Sequence, residues 1–163
     1  MILTFFFLAT QAAADTNMFE DFSEGSETRW RYTSDRVMGG VSDGSASLGR
    51  DGDVTFAQLR GTVSTANNGG FIQIRTSLAV PLTDDASGLH LRVRGNSATY
   101  YIHLGPVTAR RPWQFHQASF ETTGAWQEVS LPWESFKPQG GLNACFAPSD
   151  IRSIGLVANG AEY

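Results

Sequence analysis

The stretch Leu89-His90-Leu91-Arg92-Val93-Arg94-Gly95-Asn96-Ser97-Ala98-Thr99-Tyr100-Tyr101-Ile102-His103-Leu104 alternates apolar and polar residues on both sides of a small polar break. Alternation is the period of a half-buried β-strand, because successive side chains point to opposite faces of a sheet. Read as a hairpin turning at Gly95-Asn96-Ser97-Ala98, the stretch pairs Arg94 with Thr99. That register sets Leu89, Leu91 and Val93 beside Tyr100, Ile102 and Leu104 on one face. It sets His90, Arg92 and Arg94 beside Thr99, Tyr101 and His103 on the other. The first face is expected in the core and the second as a polar, aromatic, hydrogen-bonding surface.

Outward from this hairpin the same signature recurs. Strands are expected at Val54 to Val63, Phe71 to Thr76, Phe115 to Glu121, Trp126 to Leu131 and Ile151 to Val157, separated by Gly, Asn, Asp and Ser. No segment carries sustained helical periodicity. The 17 Gly and 11 Phe against 3 Met suit turns and pleated strands. The expectation is an all-β protein, a β-sandwich or jelly roll. Pro132-Trp133-Glu134-Ser135-Phe136 reads as a short helical turn whose Trp133 and Phe136 plug one end of the sandwich.

The chain of 163 residues is long enough for one domain that buries roughly 70% of its unfolded surface without a staple. A hydrophobic fraction of 41% with 17% charged residues describes a folding chain. The formal charge of -4 offers no basic footprint, so neither nucleic acid nor an anionic membrane surface is an expected partner. Met1 to Ala14 combines an apolar run, Ile2 to Ala9, with the small residues Ala12-Ala13-Ala14. This is the pattern of an export signal with an Ala-x-Ala cleavage site, and the run is too short to span a bilayer. A signal peptide over 1–14 and a single sandwich domain over 15–163 are therefore expected, in a periplasmic or extracellular protein. The single cysteine, Cys145, excludes an intrachain disulfide and reads as a small buried hydrophobe.

Three stretches carry a resemblance to a known family. The first is Trp30 with Ser34-Asp35-Arg36-Val37-Met38-Gly39-Gly40-Val41-Ser42. The second is Gly61-Thr62-Val63-Ser64 leading into Asn67-Asn68-Gly69-Gly70-Phe71 and Arg75. The third is Leu91-Arg92-Val93-Arg94-Gly95 with Tyr100. Phe120, Trp126, Val129, Leu131-Pro132-Trp133, Phe136, Ile151 and Ile154-Gly155-Leu156 follow in matching order and spacing. The chain resembles the complex I intermediate-associated protein 30 family. The resemblance implies a galactose-binding-domain-like β-sandwich and a chaperone-like role in assembling respiratory NADH:ubiquinone oxidoreductase, whose subunits become candidate protein partners. Family members usually continue past Ile154-Gly155-Leu156 with another strand, so a domain lacking its last strand is expected.

Gly39-Gly40 and Gly69-Gly70 mark loops with unusual backbone conformation or close approach. Loops at one end of a sandwich cluster, so Asp35, Arg36, Asn67 and Asn68 are expected to meet. Two roles are open to them: a partner-binding surface, or bracing of loop backbone. Arg75 and Trp113, the latter in the stiff basic loop Arg110-Arg111-Pro112-Trp113-Gln114, complete the candidate binding set. A rival reading is a carbohydrate-binding module using His90, Arg92, Tyr101 and His103, with Trp113 as a stacking platform. Paired His90 and His103 lack a third ligand at suitable spacing, and the acidic turns Asp51-Gly52-Asp53 and Asp84-Asp85 do not define a calcium site. No metal or other cofactor is expected from these residues, while a structural calcium, which related sandwich folds often hold, stays open. No catalytic motif is present, and the expectation is a binding module and not an enzyme.

Overall fold

A strand that buries one face must find a partner layer for it, and two layers of strands here cover each other. The computed structural model describes residues 18–160. The expected export signal at 1–14 lies outside that span. The strands are β1 (Arg31–Ser34), β2 (Asp43–Asp51), β3 (Val54–Thr62), β4 (Phe71–Ser77), β5 (Gly88–Val93), β6 (Thr99–Pro106), β7 (His116–Glu121), β8 (Gln127–Pro132), β9 (Lys137–Pro138) and β10 (Ile151–Asn159). One layer is a six-stranded antiparallel sheet in the order β1-β4-β10-β6-β7-β9. Against it lie two ribbons, β2-β3 and β5-β8. They are tied to each other where Trp126 meets Phe56 at 5.8 Å and donates its indole N–H to Asp51.

The core fills the space between the layers. Ile72 and Ile74 of β4, Tyr100, Ile102 and Leu104 of β6, and Ile154 and Leu156 of β10 face Leu59 of β3, Leu89, Leu91 and Val93 of β5 and Leu131 of β8. The expected β-sandwich is therefore observed, with Leu91 and Ile102 both buried in it. The helical turn at Trp133–Ser135 also forms, with Trp133 and Phe136 ring centroids 5.8 Å apart.

The Leu89–Leu104 hairpin does not form. β5 pairs with β8, Leu91 opposite Val129, while β6 pairs with β10 and β7. The segment between them crosses from one layer to the other and bonds to the 122–123 segment after β7: the Gly95 N–H donates to Thr123 O at 2.8 Å, and Thr122 N–H and Oγ1–H donate to Ala98 O. A Cβ at Gly95 would collide with the Thr122 side chain, so glycine permits this crossing. Two strands facing each other across a core show the same alternation as two strands paired within a sheet. The buried faces were thus assigned correctly and the pairing was not.

Candidate functional site

Asp35 opens a 3-10 turn after β1. Its carboxylate is fully buried at the junction of two loops, with Oδ1 accepting from Ser42 N–H at 2.9 Å and Oδ2 from Gly70 N–H at 2.6 Å, Phe71 N–H at 3.3 Å and the Ser42 hydroxyl. Burial opposes the charge, but the Ser42 hydroxyl and these N–H groups outweigh it and hold the carboxyl below its ordinary 3.8. The paired glycines have a steric cause. A Cβ at Gly40 or at Gly69 would run into the Asp35 carboxylate, so both loops close on it only with hydrogen at those positions. Asn67 and Asn68 both sit at φ 58°, a left-handed conformation that asparagine tolerates better than most residues.

The expected meeting of the Asp35–Arg36 and Asn67–Asn68 loops is therefore found. Asp35 occupies the bracing role, since its oxygens are all directed inward. Its neighbours point out: Arg36 pairs with Asp43 at 3.0 Å on the surface, and Val37, Met38 and Val41 are 73%, 64% and 48% exposed. Three aliphatic side chains stand in water on a loop whose backbone is pinned. The sequence reading missed them as site residues, although two adjacent apolar residues before a Gly-Gly pair in a polar loop were a usable signal.

The second feature is the outer face of the six-stranded sheet. Strand register places Arg31, Arg75, Gly155, His103, Gln117 and Lys137 in one row across it. Gln73, Val157, Tyr101 and Ser119 form the adjoining row. His103 is buried despite facing outward, stacked on Phe115 at 3.8 Å and donating from Nε2 to Gln117 Oε1 at 2.8 Å. Burial, with Arg75 adding repulsion and the Gln117 bond opposing, pushes its pKa down to about 4, so the ring is neutral at pH 7.

The expected sugar-binding face divides. Tyr101 and His103 lie on this face, whereas His90 and Arg92 lie on β5 in the opposite layer. There His90 bonds Glu128 at 2.6 Å and Ser130 at 3.0 Å, and the Arg92 guanidinium approaches Glu128 at 3.9 Å. His90 and His103 are not neighbours, which removes the histidine pair. Among the described residues no group of three or more His, Cys, Asp or Glu is placed to hold a metal ion.

Trp113 is 55% exposed under the Arg111 guanidinium, on the β6–β7 loop at the end of the sheet away from Asp35. The candidate binding residues thus fall in three places: the Asp35 loops, Arg75 in mid-sheet and Trp113 at the far end. Cys145 is exposed, not buried as expected, because residues 143–145 face solvent while the next residue, Phe146, takes the place against the core. No helix among the described residues is long and apolar enough to cross a membrane.

An antiparallel sandwich of this topology, with polar and aromatic groups displayed on end loops and along the outer face of one sheet, falls in the galactose-binding-domain-like class of jelly-roll folds. Residues 19–163 match the complex I intermediate-associated protein 30 (CIA30) family, and the chain belongs to it. Among solved structures it is similar to the family 11 carbohydrate-binding module of the cellulosomal cellulase Lic26A-Cel5E of Clostridium thermocellum, with a TM-score of 0.72 at 16% identity over 93% of this chain and 89% of that one. It is also similar to a family 11 carbohydrate-binding module from Clostridium thermocellum in complex with a beta-1,3-1,4-mixed-linked tetrasaccharide, with a TM-score of 0.69 at 15% identity over 88% and 86% of the two chains. No curated protein matches the chain.

Proposed function

We propose that this chain is a non-catalytic assembly module that binds a protein partner through the Arg36–Val41 loop and the adjoining Asn67–Asn68 loop. The observation that carries the reading is the exposure of Val37, Met38 and Val41 on a loop immobilised by Asp35. Apolar side chains on a backbone that is already pinned leave only their own rotamers to be ordered on docking, and their burial supplies affinity. Arg36 and Asp43 at the rim supply orientation. Family membership supports respiratory NADH:ubiquinone oxidoreductase subunits as partners. The Ile2–Ala9 apolar run and Ala12-Ala13-Ala14 support a place of action outside the cytoplasm.

The test is capture from a native cell-envelope extract with the domain as bait, read by quantitative mass spectrometry. Arg36→Ala should weaken capture severalfold and Val37→Asp with Met38→Asp should abolish it, while melting temperatures stay within about 2 °C, because an exposed ion pair contributes little to stability. Trp113→Ala should leave capture unchanged. Equal capture by all of these proteins would remove the reading.

A second reading is a carbohydrate-binding module. It is favoured by the likeness in fold to a module that binds a tetrasaccharide, and by the half-buried Gln73, Tyr101 and Gln117 on the outer sheet face. Amide groups and an aromatic ring side by side are the means by which sheets hold sugars. Binding of soluble oligosaccharides that survives the loop substitutions but is lost in Tyr101→Ala would establish it.

A further inference from the structure

The geometry points to a carboxylate-bearing ligand on the outer face of the six-stranded sheet, anchored by the Arg75 guanidinium. Arg75 leaves β4 and lies flat across β10 toward β6. A Cβ built on Gly155 would stand 3.6 Å from its Nε, and one built on Gly105 would stand 3.6 Å from its Nη2. The two glycines are a floor without side chains, and Gln73 Oε1 borders it at 3.4 Å from the same Gly155 position.

The guanidinium has no counter-charge. Its Nε is buried without a hydrogen bond, and no carboxylate pairs with it among the described residues. Burial alone accounts for the lowering of its pKa. Arg31 is the register partner of Arg75 on β1, and Lys137 stands at the far end of the row, so the charged residues of this row are all basic. A buried guanidinium N–H without an acceptor is unfavourable, and an anion seated beside it would supply the missing acceptor and the missing counter-charge. Among the described outward positions of the sheet only Glu121 is acidic, two rows away and bonded by the Thr99 hydroxyl at 2.6 Å. A chain of net charge -4 has thus kept its acids off this face.

The planar fork of an arginine matches a carboxylate in a bidentate manner, which selects that group over a neutral hydroxyl. The walls are fixed. His103 is held neutral against Phe115 and Gln117, and Tyr101 and Gln73 lie in the adjoining row to take the body of the ligand. Two sources supply this chemistry, a free organic acid and a uronic acid residue of an acidic glycan. The inference rests on the sheet face being a ligand surface, and not on the ligand being a saccharide.

Titration calorimetry with citrate, with a galacturonate trimer and with a neutral mixed-linkage tetrasaccharide separates the possibilities. At least one acid should bind, roughly tenfold or more tighter than the neutral sugar. Arg75→Gln should weaken it on the order of 30-fold and Arg75→Lys about tenfold, a lysine keeping charge without the fork. If Arg75→Gln fails to fold, Arg75→Lys carries the test. Binding of citrate identifies a free acid; binding of the galacturonate trimer alone identifies an acidic glycan. Failure of both acids at millimolar concentration, or binding that neither Arg75 variant weakens, overturns the proposal. Equal binding of the neutral tetrasaccharide overturns it too, while leaving the carbohydrate reading standing.

Discussion

Asp35→Ala is expected to lower the melting temperature by on the order of 10 °C, while Arg36→Ala beside it leaves the melting temperature nearly unchanged. The asymmetry follows from where the two side chains point. Removing the Asp35 carboxylate strands the N–H groups of Ser42, Gly70 and Phe71 at a buried junction and leaves the Ser42 hydroxyl with only the longer 3.3 Å bond to Ser64 O. Each unsatisfied buried donor costs about 1–3 kcal/mol, partly recovered where water enters, so a loss of about 3–5 kcal/mol is expected. At about 2–4 °C per kcal/mol for a domain of this size, that reads as a large shift. The carboxyl is held below its ordinary value, so its stabilisation is present at neutral pH and is lost as pH falls through the folded pKa, below 3.8. A melting temperature for Asp35→Ala within about 2 °C of the wild type, measured by calorimetry at pH 7, would show that the loops stand without this brace.

The Asp35 junction also shows how far the sequence could be read. The meeting of the loops was legible because Gly-Gly pairs in two segments of a sandwich imply loops that turn tightly at a shared end. The burial of Asp35 was not legible, since a carboxylate in a polar loop looks the same whether it faces inward or outward. Strand alternation exposed the buried faces at Leu91 and Ile102, but pairing is non-local, and a facing strand satisfies the pattern as well as a neighbouring one. β2 went unseen for a different reason. Its sequence, Asp43-Gly44-Ser45-Ala46-Ser47-Leu48-Gly49-Arg50-Asp51, has almost no apolar residue to alternate, and it is a strand only because β3 lies along its whole length. The Arg75 row depends on the order β4-β10-β6, which brings positions 75, 155 and 103 side by side from distant parts of the chain.

His103 should make folding stability fall between pH 6.5 and pH 4, over a range where the carboxylate brace at Asp35 is still intact. The ring is nearly inaccessible and stacked on Phe115, and its pKa is pushed from 6.5 down to about 4, chiefly by burial. In the unfolded chain the same ring takes up a proton near 6.5. Between these two values the unfolded state binds more protons than the folded one, so stability rises with pH across the window. It is complete above about 6.5 and declines as pH falls toward 4, by about 3 kcal/mol over the whole interval. Urea denaturation of wild type and His103→Gln at pH 7 and pH 4.5 isolates the effect, because the difference between the two proteins cancels the other titrating groups. Wild type should lose about 2 kcal/mol more than the variant on going from pH 7 to pH 4.5. Superimposable pH profiles would mean that His103 accepts its proton in the folded sheet. Arg75→Gln provides the second arm: with the neighbouring charge gone, the folded-state pKa of His103 should rise and the slope should flatten, linking the histidine to the same guanidinium that the sheet leaves without a partner.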